Sequence, residues 1–225
     1  MNVADLTQVF LDVVSRRRSM RDFKSDPVPR EIIESVFGTA QRAPSNCNTQ
    51  PWFVHVVTGE TLEQLRQELP AKFAAGELAL DFPYDGQYEG VYKERQYASA
   101  AALYDSLGIA RDQKAERNAW FMRNFSFFDA PAVAFFTLPT GFGLREACDL
   151  GMFAQTVMLG LTAHGLGSCP QTALAFLANV IRPALCLGDH EQLMFGMSFG
   201  YPTDTAVNEV TTERASLADV VTFHC

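Results

Sequence analysis

The chain has 225 residues, of which 18 are basic and 26 acidic, so its formal charge is −8, and 48% of its residues are hydrophobic. This length can bury a sizeable core and fits one large domain or two small ones, with an ordinary hydrophobic content for a globular domain. Because nucleic acids and anionic membranes select broad basic surfaces, the net acidity argues against general binding to either.

The apolar segments and the cysteines indicate a protein of the reducing cytoplasm. The opening residues carry no basic group before their apolar positions, so we expect no secretion signal. The longest apolar stretch contains Asp149, Gln155 and His164, which favours a buried helix over a membrane span. The five cysteines form no CxxC and no zinc spacing, which predicts free thiols: Cys47, Cys148, Cys169, Cys186 and Cys225.

Hydrophobic periodicity predicts the elements of the first half of the chain. A first helix runs up to the arginines near residue 16, and a second begins near Pro29 and stops before Pro44. Residues 52–59 form a short β-rich run that ends at a glycine and reads as a strand. Residues 77–95 combine Pro, Gly and three tyrosines without a period, so they form either a mobile lid or a cover for the core.

The second half alternates helices with strands. Helices are predicted at 99–108, 111–128, 144–164 and 173–181, strands at 130–139 and 192–200, and a short strand or turn at 165–170. The helix at 173–181 should be broken by Pro183. Such interleaving, with helix in excess, predicts one α+β or α/β domain over residues 1–225, with a small sheet inside a helical shell. The mostly polar C-terminal tail, residues 200–225, ends in a possible strand and should lie against a partner.

Positive charge is concentrated in the sequence SRRRSMRDF, residues 15–23, here called the arginine segment. Basic residues at the end of a helix offset the negative end of its dipole, which is one explanation. The other is a phosphate site, because guanidinium groups bind phosphate oxygens in pairs. Ser19 and Arg21 continue the polar set beyond the helix, which favours the phosphate. A second polar loop, APSNCNTQPW at residues 43–52, either satisfies its own backbone or binds a ligand.

These two motifs, with GLGSCPQT after the long helix and FGYPTD after the last core strand, resemble the FMN-dependent nitroreductase family over essentially the whole chain. The segments RNFSFFDAP and ALYDSLGI are similar to the branch that includes nitrobenzoate reductases. The resemblance implies an α+β fold with a small mixed sheet surrounded by helices. It also implies an entwined homodimer with two FMN molecules at its interface, in which residues 200–225 wrap the partner subunit.

The resemblance also implies where FMN binds. The contacts to the phosphate and the ribityl chain match Arg17, Arg18, Ser19 and Arg214. The loop that reaches the FMN of the other subunit matches Pro44, Ser45, Asn46 and Asn48. The segment whose backbone faces the flavin ring matches Cys169, Pro170, Gln171 and Thr172.

Two further matches concern the pyrimidine edge of the flavin. Arg21 matches a basic residue near the N1–C2 carbonyl edge, and Asn124 matches a polar residue that reaches the same edge. Two departures are also visible. A second basic residue is expected in the tail near Thr211, where this chain has threonine, and the PQT segment lacks the acidic-glycine pair of some relatives.

The expected function is an NAD(P)H-dependent FMN oxidoreductase that passes a hydride through flavin N5 to a nitroaromatic or quinone acceptor. A cation at Arg21 would stabilise the charge gained on reduction, and no side chain need act as nucleophile. The sequence has no GxGxxG or H-E-x-x-H motif, so the nicotinamide should bind only transiently, and its four histidines are isolated, so we expect no metal.

Three alternatives stay open at this stage. The same fold can support other FMN chemistry, such as reductive dehalogenation, alkene reduction or flavin breakdown. The protein could also be a non-catalytic flavin sensor or storage protein. Finally, it could be an α/β domain without flavin, whose arginines bind another phosphate.

Overall fold

The computed structural model describes residues 2–84 and 86–224. Within them, eight α-helices surround four β-strands. The helices are α1 (Val3–Arg16), α2 (Arg30–Ala40), α3 (Gly59–Ala74), α4 (Gly90–Ser106), α5 (Lys114–Met122), α6 (Leu144–Ala163), α7 (Ala178–Ala184) and α8 (Leu217–Val220). The strands are β1 (Phe53–Thr58), β2 (Ala132–Pro139), β3 (Gly167–Gln171) and β4 (Glu191–Gly200).

The sheet has the strand order β1–β2–β4–β3, and its three strand pairings are antiparallel. The prediction of a mixed sheet was therefore wrong for the described strands. A parallel contact at this sheet is an isolated bridge between Ser19 and Ser168, where the chain after α1 runs beside β3. This bridge brings the arginine segment to an edge of the sheet.

The core lies on both faces of β2 because side chains of a strand alternate between the two sides. Phe136 packs with α2 and α6 on one side, where it contacts Phe153. Phe135 packs on the other side, among residues of α3 and α7. The central strands are thus covered by helices on both faces, which explains the continuous apolar sequence of β2.

Three elements differ from the sequence predictions. Helix α4 begins at Gly90, so the last part of residues 77–95 is helical, although no residue of α4 is buried. Pro183 lies within the last turn of α7 and does not break a longer helix. The end of the tail contains the short helix α8, and no strand occurs in the described residues after Gly200.

No helix of the described residues combines the length and apolar character needed to cross a membrane. The long apolar stretch forms α6, which is buried along one side by the core, as predicted. The four described cysteines are free thiols. Cys225 lies outside the described residues.

A buried carboxylate joins the strands at the end of β4 that is remote from the arginine segment. Glu191 is 7% exposed, and its Oε2 accepts hydrogen bonds from Thr137 Oγ1 at 2.8 Å and contacts His55 Nε2 at 2.7 Å. Burial by itself raises the pKa of Glu191, but the bonds with His55 and Thr137 outweigh burial and hold the pKa below its ordinary value. The ionised form of Glu191 therefore stabilises the fold.

We predict that Glu191→Gln lowers the free energy of unfolding at pH 7 by about 1–3 kcal/mol, because the charge-assisted bonds are lost. A lowered carboxyl pKa contributes stability above its unfolded value, about 4.3, and loses it as the pH falls through the folded value. Urea unfolding between pH 7 and pH 3 should show that the variant loses less stability on acidification than the natural protein. Parallel pH curves would contradict this role, and Glu116→Gln, on an exposed helix position, is the control.

Candidate functional site

A cavity of about 530 Å³ opens between the arginine segment, α4 and the tail. We call it the cradle. Its walls come from three parts of the chain that are distant in sequence. The residues that line it are Val14, Ser15, Arg17, Arg18, Ser19, Arg21, Gln96, Ser99, Ala100, Leu103, Tyr104, Val210, Thr211, Thr212 and Arg214.

The arginine segment is held in an extended conformation by backbone hydrogen bonds on both sides. α1 ends at Arg16, and Arg17 already has an extended backbone. Beyond it, Met20 N donates to Ser168 O of β3 at 3.0 Å, and Lys24 N donates to Tyr201 O of the tail at 2.8 Å. The segment therefore lies between β3 and the tail.

Close packing fixes the distance between this segment and β3. A Cβ on Gly167 would lie 2.5 Å from Cγ of Met20, which is too close for two carbon atoms. Phe23 is buried beside Met20 in a small apolar cluster with Phe128 and Cys169. The apolar side chains of the segment thus pack into the protein, whereas three of its arginines line the cradle.

The cradle concentrates positive charge, and among the described residues neither Arg17 nor Arg214 forms an ion pair, whereas Arg18 pairs with a glutamate of the tail. Burial and the nearby charge of Arg214 lower the pKa of the Arg17 guanidinium below its ordinary value. Arg214 makes its described hydrogen bonds to neutral oxygens of Thr212 and Glu213. Two guanidinium groups that face one cavity repel each other, and an anion between them would remove this cost.

Arg18 is only partly satisfied. Its Nη1 forms an ion pair with Glu209 Oε2 at 3.0 Å, whereas its buried Nε has no acceptor among the described residues. Ser168 Oγ is likewise buried without a described partner. Buried donors without acceptors are rare in folded proteins, so these atoms indicate that the structure suits a further ligand.

Arg21 is fixed through its backbone and its side chain. Its N–H donates to Asn208 Oδ1 at 2.7 Å, and its Nη1 donates to Ser19 O at 3.2 Å. Its charge also acts on Cys169, but burial dominates there and raises the pKa of that thiol to about 11. Cys169 thus stays protonated and packs in the core, so a thiolate reaction at this residue is disfavoured.

The residues predicted to face the flavin ring divide into two groups. Gln171 is buried, and its Nε2 donates to Asn124 O at 2.9 Å and to Asn124 Oδ1 at 3.2 Å. The Gln171 side chain also accepts a hydrogen bond from Ser198. The side chains of Gln171 and Asn124 are therefore engaged with the protein, while Pro170 and Thr172 are exposed.

The loop predicted to reach a flavin does not line the cradle of its own chain. Pro44, Ser45, Asn46 and Asn48 are absent from the described walls of this cavity. Two hydrogen bonds nevertheless hold the loop in place. Asn46 N donates to Asp149 Oδ2 at 3.0 Å, and Ser45 Oγ accepts from the N–H of residue 50 at 2.9 Å. Asn48 has a positive φ of 58°, which asparagine tolerates better than most residues.

Sequence reasoning missed the wall that α4 supplies, with Gln96, Ser99 and Tyr104, and it missed Asn208 behind the arginines. Helix α4 has no apolar face that would have placed it against the cradle. Asn208 had no sequence signal, since it is one polar residue in a polar tail. Among the described residues, no group of three or more potential metal ligands occurs.

Comparison with known proteins identifies the family. The model of the nitroreductase family matches residues 14–201. Nitroreductase NfnB of Mycolicibacterium smegmatis is 42% identical over 221 residues, which cover 97% of this chain and 94% of that protein. The 4-nitrobenzoate reductase of Pseudomonas putida is 36% identical over 216 residues, with 94% of each chain covered.

A solved structure agrees with the sequence comparisons. The crystal structure of the FMN-dependent nitroreductase NfnB from Mycobacterium smegmatis in complex with NADPH superposes with a TM-score of 0.94 at 40% identity, and covers 98% of this chain and 100% of that one. The likeness includes α4 and the tail that wall the cradle, because nearly the whole chain is matched. This chain belongs to the nitroreductase family.

Proposed function

We propose that the protein is an NAD(P)H-dependent FMN oxidoreductase that reduces nitroaromatic or quinone-type acceptors in a ping-pong sequence. The observation that carries the proposal is the cradle, in which Arg17 and Arg214 repel each other across a cavity wide enough for a phosphate and its attached chain. Support comes from relatives that span the whole chain, one an FMN-dependent enzyme solved with NADPH and one a 4-nitrobenzoate reductase.

The residues present fit FMN. Its phosphate needs several donors and a positive field, and Arg17, Arg18 and Arg214 supply both. Because the cavity already holds more positive charge than the protein neutralises, an anion is favoured there over a neutral group. When bound, FMN supplies the two-electron chemistry that links oxidation of a nicotinamide to reduction of the acceptor.

The residues of the chain would bind and orient FMN and polarise its ring. Arg17, Arg18 and Arg214 hold the phosphate, and Ser19 offers a hydroxyl to the ribityl chain. Arg21 provides a fixed cation at the pyrimidine edge, which stabilises negative charge that develops beside it. The carbonyl of Ser19 keeps the Arg21 guanidinium in place. No nucleophilic side chain is needed, since the protein's part is binding and electrostatics.

The remaining binding assignments follow from the family. We assign the backbone of residues 169–172 to the flavin ring, because the side chains of Cys169 and Gln171 are used inside the protein. We assign Asn124 to the pyrimidine edge, where it would act together with Gln171. The loop Pro44, Ser45, Asn46 and Asn48 would contact the FMN bound to the other subunit.

We further propose a homodimer, in which residues 200–225 of one chain wrap the other. Large apolar side chains of α1 are exposed, among them Phe10 at 60%. In the tail, Leu217 and Phe223 are 64% and 76% exposed. Several large apolar side chains exposed on one helix favour an interface there. A second copy of the chain would cover it and would supply the loop at residues 44–48.

Three general assignments complete the proposal. Residues 1–225 form one domain with the tail as its extension, which agrees with a family match that ends at residue 201. The protein is cytoplasmic, since its described cysteines are free thiols. The acceptor is a small electron-poor aromatic molecule, and neither nucleic acid nor membrane is a partner, given the net charge of −8.

The first test is an anaerobic visible spectrum of the purified protein before and after addition of NADH or NADPH. We expect flavin absorption bands that bleach with at least one nucleotide and return on addition of 4-nitrobenzoate or a quinone. Bands that neither nucleotide bleaches would favour a flavin sensor, and a colourless protein that takes up no FMN would show that the arginines bind another phosphate. Return of the bands with only haloaromatic or alkene acceptors would favour other FMN chemistry.

The second test concerns the phosphate. We predict that Arg17→Ala combined with Arg18→Ala raises the dissociation constant of FMN at least about a hundredfold, because two charge-assisted interactions are lost. Titration of apoprotein with FMN, followed by flavin fluorescence, measures this change. Arg30→Ala is the control, because Arg30 is an exposed arginine that pairs with Glu34 on α2. Full FMN occupancy in the double variant would refute the phosphate assignment.

The third test concerns the dimer. Light scattering after size-exclusion chromatography should give twice the 24.9 kDa mass of the chain. Phe10→Glu places a charge on the exposed face of α1, so we expect it to shift the mass toward the monomer. Leu78→Glu is the control, since Leu78 is also exposed, at 49%, but lies outside α1 and the tail. An unchanged mass in the Phe10 variant would exclude α1 from the interface.

A further inference from the structure

The turn Ala206–Glu209 at the start of the tail touches the arginine segment at two points. Asn208 accepts the N–H of Arg21 through Oδ1 at 2.7 Å. The next residue, Glu209, pairs with Arg18 Nη1 at 3.0 Å. One turn therefore contacts the arginine segment on both sides of Ser19.

Asn208 is buried, with 2% exposure, and its side-chain amide both accepts and donates hydrogen bonds. Besides accepting from Arg21, it donates through Nδ2 to Asp22 O at 2.7 Å and to Thr203 O at 2.9 Å. Its partners are thus backbone groups of the arginine segment and of the tail. An amide of this length is required, because a carboxylate cannot donate to the two carbonyl groups.

Asp22 forms a second connection between the same parts of the chain. Its carboxylate accepts from Thr203 Oγ1 at 2.5 Å and from Arg123 Nη2 at 2.8 Å. Burial opposes the ionised form, but the bonds from Arg123 and Thr203 outweigh burial and lower the pKa of Asp22. The carboxylate therefore stays charged and holds the tail close to the arginine segment near neutral pH.

The tail that leaves this turn forms the opposite wall of the cradle. Thr211, Thr212 and Arg214 line it within six residues of Asn208. The distance between the arginine segment and Arg214 thus depends on how the turn is seated. Guanidinium groups recognise phosphate by position as well as by charge, so a shift of this wall weakens the recognition.

We propose that Asn208 is a positioning residue for phosphate recognition, which it controls by fixing the arginine segment and the tail in one register. This inference rests on the proposed function. Asn208 acts through the backbone of Arg21 and Asp22 and lies behind the cradle, so it does not contact the phosphate itself. Asn208 also holds the backbone of Arg21, which we assign to the pyrimidine edge, so its effect is larger at the phosphate end than at the ring but is not confined to the phosphate.

The test compares FMN with riboflavin, which has the same ring and ribityl chain but no phosphate. Dissociation constants of both are measured with the full-length apoprotein of the natural sequence and of Asn208→Asp. We expect the variant to bind FMN about tenfold more weakly, because two carbonyl groups lose their donor. Riboflavin binding should change less than about threefold, so the preference for FMN over riboflavin should fall.

Two further variants complete the design. Asn179→Asp is the matched control, because Asn179 is an exposed asparagine that donates to Glu77 O, away from the cradle, and no change is expected. Thr203→Val removes the hydroxyl group that donates a hydrogen bond to Asp22, and valine has nearly the same side-chain volume as threonine. It should lower the FMN preference in the same direction, and it serves if Asn208→Asp does not fold.

The outcomes separate the two levels of inference. If the natural protein binds FMN no better than riboflavin, the phosphate assignment of the proposed function is wrong, and this is visible before any variant is made. The positioning role of Asn208 is overturned if the natural protein prefers FMN but Asn208→Asp and Thr203→Val lower the affinities for FMN and riboflavin by the same factor. It is also overturned if the two variants change neither affinity. A selective loss of FMN affinity supports it.

Discussion

The repulsion between positively charged guanidinium groups is the constraint on which the arrangement of the site depends. Arg17 and Arg214 face one cavity, and the pKa of Arg17 is lowered first by burial and then by the nearby charge of Arg214. A bound anion offsets the unfavourable free energy of such neighbouring positive charges. The backbone around these groups must therefore be rigid, since mobile arginines would move apart into solvent. The structure provides this rigidity through backbone hydrogen bonds in and beside the arginine segment to β3, Tyr201 and Asn208, to which the guanidinium groups add bonds of their own.

This rigidity originates in the sheet. β2 and β4 are buried on both sides, and β3 pairs with β4 at the edge. The arginine segment lies along β3 through Ser168, and the tail continues directly from the end of β4. The cradle is thus built on the ends of neighbouring strands, with α4 as an outer wall. A buried core supports a site that is itself polar and accessible.

The exposed apolar surface, like the arginines of the cradle, indicates a binding partner that the single chain lacks. Phe10 of α1 and Phe223 of the tail are exposed. Burial of such large apolar side chains is favourable, so their exposure in the single chain has a cost in free energy. The loop at residues 44–48 is held firmly by Asp149 yet lies outside the cradle of its own chain. The homodimer that we propose would account for both features, because a second copy of the chain would cover the apolar surface and receive this loop.

The sequence by itself determined the family, the order of most helices and strands and the identity of the arginine segment, because these depend on local periodicity and on motifs of adjacent residues. It did not determine the antiparallel sheet, the α4 wall or the role of Asn208. Strand direction, the approach of α4 and the bond from Asn208 to Arg21 join residues far apart in the chain. Only the tertiary structure decides such contacts, since a buried amide and a helix without an apolar face leave no periodic signal in the sequence.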